Sequence, residues 1–463
     1  MPDGAAEYRR VNLSADPLYR YVRATKAGGV PGRVAEQDII DGRWPQRLRR
    51  IHQLQSAWWV FATAEHSRFQ HSLGAMHLAG EWAHHLYPSL AEHHPVPSEA
   101  LVAETVRMAG LLHDIGHGPF GHFFDENYLD RFGLDHEAIG RSLIMNEISD
   151  QLRELRASPD ADFEPGEEID PRWVAYLISA SDLDGFSPPG WLTALRPILI
   201  GPFSVDNMDY VPRDAFICGV QAGAVDVERI VHYSFVSAHG LTLHLHGAEA
   251  LFMFLTARLY LYNQVYYHRT VRRIDLQLRE VFAPTVDRLL GGDPLERLPQ
   301  FHRLNEWYLM TVVDGWARGE GDPEQRRLGE AWARLVARQL KWKLIYSGYF
   351  ESGGVPRGAL GLTREDFAAG IRRFLPRDLR ELRFEVDVAS QESRAFNPVM
   401  EDQEILFYNP LEESYQHSGV LELFRRLPVR MALFRIFALD DRAGPQLIEA
   451  ARRVFAEQAL EAG

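Results

Sequence analysis

Cysteine is nearly absent from this chain of 463 residues; Cys218 is the single one. That excludes an internal disulfide framework and any multi-cysteine metal cluster, and it fits a reducing compartment. Long apolar runs are missing too, since none reaches the roughly 18 residues that span a bilayer. The start, Met1-Pro2-Asp3-Gly4, lacks the basic and then apolar layout of a secretion signal. A cytoplasmic protein with no membrane contact is expected. The third absence is excess positive charge: 50 Lys and Arg against 64 Asp and Glu leave a net −14. This argues against nucleic acid or an anionic membrane as a bulk partner. What remains is 46% apolar and 25% charged, ample for a sizeable globular core.

Histidine, by contrast, is crowded. Of 19 histidines, 12 lie between His52 and His136, which marks that window as the place to look for chemistry.

The texture along the chain predicts a mainly α protein. The first 30 residues, with Ala27-Gly28-Gly29-Val30-Pro31-Gly32, read as loose or assembly-dependent. Helical periodicity dominates from Gln46 to about Ala283. Ser98 caps a helix striped by Val102, Val106, Ala109 and Leu112 that ends at His113-Asp114. The acidic, proline-bearing stretch Ser158 to Pro171 predicts an exposed loop, and Ala248 to Arg279, free of Gly and Pro, one long helix. Helical texture continues around Glu324 to Ser347. Strand-like runs follow at Leu382–Val388, Ile405–Tyr408 and Met431–Phe437, then a closing helix, Gly444 to Leu460. The expected division is an N-terminal segment (1–45), an all-helical core (46–290) and a smaller α+β lobe (291–463).

Four segments carry the chemistry: His66-Ser67-Arg68-Phe69-Gln70-His71-Ser72-Leu73-Gly74, His113-Asp114-Ile115-Gly116-His117-Gly118-Pro119-Phe120-Gly121-His122, Asp135-His136-Glu137, and Val205-Asp206-Asn207-Met208-Asp209-Tyr210-Val211-Pro212-Arg213-Asp214. A neutral imidazole beside a hard carboxylate suits a divalent first-row metal better than calcium, which prefers all-oxygen shells. Gly116 and Gly118 allow close backbone approach, and Pro119 stiffens the exit. A lone His-Asp pair is usually a cap or a surface hydrogen bond. With His71 upstream and Asp206 downstream, a metal site is the better reading.

The order His71, His113-Asp114, Asp206 resembles the signature of HD-domain metal phosphohydrolases. The longer strings HSRFQHSLG, LLHDIGHGPFGH, DHE and DNMDYVPRDA, with QRLRRIHQLQSAWWVF at Gln46 to Phe61, are similar to the deoxynucleoside triphosphate triphosphohydrolase branch. The match runs from about Asp41 to Arg273. It implies an HD-domain core in which His71, His113, Asp114 and Asp206 hold one divalent metal ion, with Mg accompanying the nucleotide. Arg68 would bind phosphates bidentately. His117 and His122 would meet the α-phosphate or its attacking water, and His136 would be the general acid. Asp125 would orient one of these imidazoles. Tyr210 and Asp214 would hold the sugar, and Gln53 and Leu54 would crowd its 2′ side. On the long helix, Arg258, Tyr262, Tyr266, Arg269 and Arg273 share one face; Arg258 and Tyr266 match family positions for phosphate and sugar contact.

The resemblance also implies a dNTP substrate and a homo-oligomer, tetramer or hexamer. Asp41, Gln46 and Arg49 match part of a nucleotide-activator site, although Arg43, Arg47, Arg49 and Arg50 read equally as a basic helix face. Two departures stand out. Asn207 replaces a phosphate-binding lysine of the vertebrate enzymes, and the DPxHG-like turn of many relatives is expected to be missing, with Ala24 to Gly32 in its place. Cys218 reads as a buried structural thiol, Trp58-Trp59 as core or interface, and His84, His85, His93 and His94 as bystanders. Two other readings remain open at this point: an HD phosphohydrolase acting on monophosphates, alarmones or single-stranded nucleic acid, and a non-catalytic nucleotide sensor.

Overall fold

Helix caps and glycine crossings decide how the core comes together. The computed structural model describes residues 7–29, 34–179, 183, 185–201, 203–351, 362–391, 405–417, 421–424, 427 and 431–461. The chain is mainly α. It divides into two compact units, each assembled from several stretches: residues 1–257, 286–311 and 406–416 form the first, and 258–285, 312–405 and 417–463 the second.

In the first unit the helix Arg68–His93 starts at Ser67, in a capping box with Gln70. Its neighbour, Glu99–Leu112, starts at Ser98, whose hydroxyl accepts from the Leu101 amide. Each such cap is worth about 1 kcal/mol and fixes where its helix begins. The two helices cross almost backbone to backbone, because a Cβ at Gly110 would lie 2.8 Å from the Ala75 carbonyl oxygen. Trp82, Leu86, Leu101, Met108 and Leu111 are buried in the first unit. A third helix, Val205–Cys218, is capped by Ser204 and packs against Gly74, where any side chain would overlap Asp209 and Arg213.

Residues 7–29 form more regular structure than expected. Strands β1 (Val11–Asp16) and β2 (Arg20–Thr25) pair antiparallel. The hairpin is fastened to the core by Arg107, whose guanidinium donates to the Arg23 carbonyl at 2.7 Å, and by Glu36, whose carboxylate accepts from the buried Thr25 amide at 2.6 Å. A turn closes the hairpin at Asp16-Pro17-Leu18-Tyr19-Arg20, where Asp16 accepts from the Leu18 and Tyr19 amides and Arg20 takes φ +65°. Arginine stands there in a conformation that favours glycine, which hid the turn from the sequence pattern. Val30, Pro31 and Gly32 lie outside the described residues.

Nor is the core helical throughout. β3 (Ser234–Ser237) and β4 (Gly240–His244) form a hairpin. The Ile405–Tyr408 run becomes β7 (Leu406–Asn409) and joins β4 in parallel, so it belongs with the first unit. The acidic stretch is a loop, but a pinned one. Glu167 accepts from the Ser98 amide, and Asp160 pairs with Arg23 and His84.

In the second unit, β5 (Lys343–Glu351), β8 (Met431–Ala438) and β6 (Phe384–Gln391) make an antiparallel sheet in that order. The helices Arg364–Phe374 and Gly444–Glu461 contribute Phe367, Ile371, Leu447 and Val454 to its core. The expected helix through Ser347 stops at Val336, and β5 takes over at Lys343. The expected long helix is also interrupted. Ala248–Leu261 passes into a π-helical turn, Tyr262–Tyr266, and helix resumes only at Arg269. A wider turn rotates the following residues off the regular face, so the five-residue stripe is not continuous. No helix among the described residues is long and apolar enough to cross a membrane.

Candidate active site

Three helices deliver one side-chain cluster. Arg68 and His71 stand one turn apart at the start of the Arg68–His93 helix. His113 caps the end of Glu99–Leu112, with Asp114 in the turn beyond. Asp206 sits in the first turn of Val205–Cys218. His71 Nε2 lies 3.1 Å from Asp206 Oδ1, 3.1 Å from His113 Nε2 and 3.9 Å from Asp114 Oδ2. His113 Nε2 is 3.4 Å from Asp114 Oδ1 and 3.8 Å from Asp206 Oδ1.

The donor set fits a cation. His71 Nδ1 donates to Asp209 Oδ2 at 2.7 Å, and His113 Nδ1 donates to the Gly110 carbonyl at 2.8 Å. In the neutral tautomers both Nε2 atoms then present lone pairs to each other and to two carboxylates. Such a group repels itself unless positive charge sits among it. Burial pushes the His71 imidazole down, but its bonds to Asp206 and Asp209 outweigh this and raise it to about 10. Arg68 supplies part of the compensation, with Nη1 2.7 Å from Asp114 Oδ2 and the pair buried. That guanidinium and the neighbouring histidines hold Asp114 well below the usual carboxylate range against its burial. His71, His113 and Asp114, with Asp206 alongside, could hold a divalent metal.

Beside it lies a second group: His117, His122, Asp125 and His136. The Asp114–Gly118 turn presses onto the start of the His136–Leu143 helix, since a Cβ on Gly116 would overlap the His136 carbonyl. His117 and His136 consequently stack with centroids 3.8 Å apart and planes 12° apart. Asp125 accepts from His136 Nδ1 at 2.7 Å and from His122 Nδ1 at 3.3 Å. His117 Nε2 lies 3.3 Å from Asp114, which links the two groups. Among the described residues, neither ring nitrogen of this fully buried histidine makes a well-aligned hydrogen bond. Burial, then the Arg68 charge, pushes the His117 imidazole well down, toward its neutral form. His136 goes the other way: burial lowers it, but the bond and charge of Asp125 raise it.

The remaining expected residues are placed as follows. Tyr210 is half-buried, its ring centroid 6.4 Å from that of His71. Asp214 is buried and accepts from His66 Nε2 at 2.7 Å. Leu54 is buried beside the half-buried Gln53. Asp41, Gln46 and Arg49 do come together: Gln46 donates to the Ile40 carbonyl and to Asp41, and accepts from Arg49 Nε at 2.8 Å. The basic helix face does not hold together, because Arg47 is buried and donates to the carbonyls of His117, Leu304 and Phe301. Burial lowers that guanidinium to about 9. Asn207 turns inward to the Gly201 carbonyl and Ser204 hydroxyl. Arg258 and Tyr266 lie in the second unit, where Arg258 is buried. Cys218 is partly buried, and burial pushes its thiol up to about 12, so it is no nucleophile.

Sequence reasoning missed the residues behind the site. Asp209 and Arg213 sit inside a quoted motif, but the role of Asp209 emerges only from its contact with His71. The buried Glu306 accepts from the Phe120 amide at 2.9 Å and binds His52, which stacks on Trp58. Nothing at residue 306 signals this in the sequence, because its partners lie some 190 to 250 positions away.

Comparison with known proteins agrees with the geometry. The HD domain model matches residues 68–169. The uncharacterized protein YwfO of Bacillus subtilis is 31% identical over 341 residues, covering 70% of this chain and 70% of its own length. The deoxynucleoside triphosphate triphosphohydrolase SAMHD1 of Homo sapiens is 26% identical over 365 residues, 71% of this chain and 54% of that protein. The SAMHD1 homolog of Dictyostelium discoideum is 28% identical over 282 residues, 59% and 51% respectively. The chain thus spans about half the length of these two named relatives. A hypothetical protein from Aquifex aeolicus shares the fold at TM-score 0.67 and 24% identity, covering 98% of this chain and 100% of that one. By its HD-domain match and these relatives, the chain belongs to the HD-domain dNTPase-like family.

Proposed function

We propose that this HD phosphohydrolase cleaves deoxynucleoside triphosphates to the deoxynucleoside and inorganic triphosphate. The carrying observation is the junction at Asp114, which touches both the His71/His113 cluster and the stacked His117–His136 pair. A metal ion next to an acid–base array is the arrangement that phosphate-ester hydrolysis requires. His71, His113, Asp114 and Asp206 would hold a divalent ion, which supplies an acidified water and neutralises charge on the phosphoryl oxygens.

The protein's own groups then divide the work. Arg68 presents its fork to the phosphates from a buried position. His117, pushed toward its neutral form, orients or accepts from the attacking water. Water adds to the α-phosphorus and the P–O5′ bond breaks. His136, whose charged form Asp125 favours, gives its proton to the leaving O5′. His122 steadies Asp125 and the α-phosphate. Tyr210 and Asp214 bind the sugar, with Gln53 and Leu54 at its 2′ side. Asp41, Gln46 and Arg49 form an activator-binding corner in a homo-oligomer. The net −14 of the chain is no obstacle, because the local field is set by the metal and these arginines.

The test is turnover of a panel of dNTPs, NTPs, monophosphates and oligonucleotides with Mg²⁺, Mn²⁺ or Co²⁺. Hydrolysis confined to dNTPs supports the reading. Cleavage of monophosphates or oligonucleotides instead would move the enzyme to another branch of HD phosphohydrolases. Metal binding without any turnover would make it a sensor.

A further inference from the structure

A buried ionic chain runs from the amino-terminal hairpin to His71. Asp16 Oδ2 lies 2.8 Å from Arg213 Nη1. Arg213 in turn grips Asp209 with a two-pronged fork, Nε to Oδ2 and Nη2 to Oδ1, both at 2.8 Å. Asp209 Oδ2 accepts the Nδ1 proton of His71 at 2.7 Å. His71, Asp209 and Arg213 have side chains at most 1% exposed, and Asp16 only 8%. We propose that the Asp16 turn is a positioning element of the metal centre. It fixes the tautomer and aim of His71 through Arg213 and Asp209, so that metal affinity is set from the hairpin. The proposal rests on reading the His71 cluster as a metal site.

The chemistry of each link supports this. An imidazole binds metal through the nitrogen that carries no proton, so the Asp209 carboxylate, by holding the Nδ1 proton, turns the Nε2 lone pair to Asp206 and Asp114. The Arg213 fork holds Asp209 in the plane that faces His71. That fork uses Nε and Nη2, which leaves Nη1 for Asp16. Geometry leaves no slack, because any Cβ on Gly74 would overlap both Asp209 Oδ1 and Arg213 Nη2. Asp16 is in turn held by its own turn, through the Leu18 and Tyr19 amides on Oδ1 at 2.9 and 3.1 Å. The Tyr19 ring packs on His77 with centroids 4.8 Å apart, which seats the turn on the helix that carries His71. Four groups from three segments thus act as one support, and only Asp16 comes from outside the helices that bear the ligands.

The experiment uses Co²⁺ alone on the full chain, without nucleotide, followed by visible absorption and by competition with a chelator. Asp16→Asn keeps the size and an acceptor for the turn amides but removes the charge opposite Arg213. The expected result is a loss of Co²⁺ affinity of about tenfold or more, with an altered Co²⁺ spectrum. Arg23→Ala releases the same hairpin from Asp160 but stands off the chain, and should leave affinity and spectrum unchanged. In the unsubstituted protein, Co²⁺ should slow hydrogen exchange at the Leu18 and Tyr19 amides, since coupling between two sites is reciprocal. This last measurement decides alone if D16N gives no folded protein. Equal affinity and spectrum in D16N and the parent, equal loss in D16N and R23A, or unchanged exchange on adding Co²⁺ would each overturn the proposal. A parent protein that takes up no Co²⁺ would instead remove the metal centre beneath it.

Discussion

His117 and His136 stack face to face at 3.8 Å, yet their surroundings drive their protons in opposite directions. Burial and Arg68 push His117 toward its neutral form, while Asp125 favours the charged form of His136 against its burial. Neighbouring imidazoles are thus biased toward opposite protonation states, the bias that the proposed division between water handling and acid catalysis requires.

The first prediction concerns pH. The acid form of His136 is the protonated one, so rate falls as pH rises through its pKa, which Asp125 raises. Asp125→Asn removes that support. The alkaline limb of the kcat profile should move to lower pH, with bound metal unchanged. An alkaline limb that stays in place would assign the acid elsewhere.

Metal removal is the second. Chelation should abolish turnover and lower the melting temperature together, because the facing Nε2 lone pairs and carboxylates lose their counter-charge. Binding to the folded state alone contributes about 2.7 kcal/mol at a hundredfold excess over Kd. Returning Mn²⁺ or Co²⁺ should restore both. Activity surviving exhaustive chelation would contradict the metal assignment.

Glu306 gives the third. It receives the amide of Phe120, whose φ is +65°, next to Gly121 at +55°. Glu306→Ala leaves that buried amide unpaired, at a cost of about 1–3 kcal/mol, and frees the segment that leads to His122. Calorimetry should show the loss. Displacement of the histidine should lower kcat on the order of tenfold or more, more than KM rises.

A fourth prediction lies away from the site. Glu104 is fully buried, with Arg107 Nε 3.5 Å away and the Glu36 carboxyl beside it. Burial, then the charge of Glu36, raises its pKa well above the ordinary 4.5. A raised folded value means the folded state holds a proton that the unfolded chain has released. The stability this adds is full below about pH 4.5 and is lost as pH rises toward the folded value. Glu104→Gln is neutral at every pH. Its melting temperature should therefore fall less between pH 5 and 8 than that of the parent. An identical slope in both proteins would show that Glu104 carries its charge unassisted.

Much of the site was legible in the sequence because it is built from helix ends and short motifs. His71, His113, Asp114 and Asp206 converge as the motif order implied, and Ser98 caps its helix as read. Local chemistry of this kind is written in adjacent residues. What failed to show depends on partners far along the chain or on unusual backbone. The turn at Asp16–Arg20 was hidden because Arg20 occupies a place that glycine would have announced. The break after Leu261 carries no Gly or Pro to mark it. β7 was recognised as a strand, but its pairing with β4 joins residues more than 160 positions apart. Glu306 and the Asp16–Arg213 contact are likewise products of tertiary packing.

The most direct test of the central claim is phosphorus NMR of the products from a single dNTP and the metal-loaded enzyme. The account predicts inorganic triphosphate and free deoxynucleoside in equal amounts, and neither product with Asp206→Ala. Orthophosphate with the diphosphate, or pyrophosphate with the monophosphate, would place the cut at a different P–O bond and contradict it.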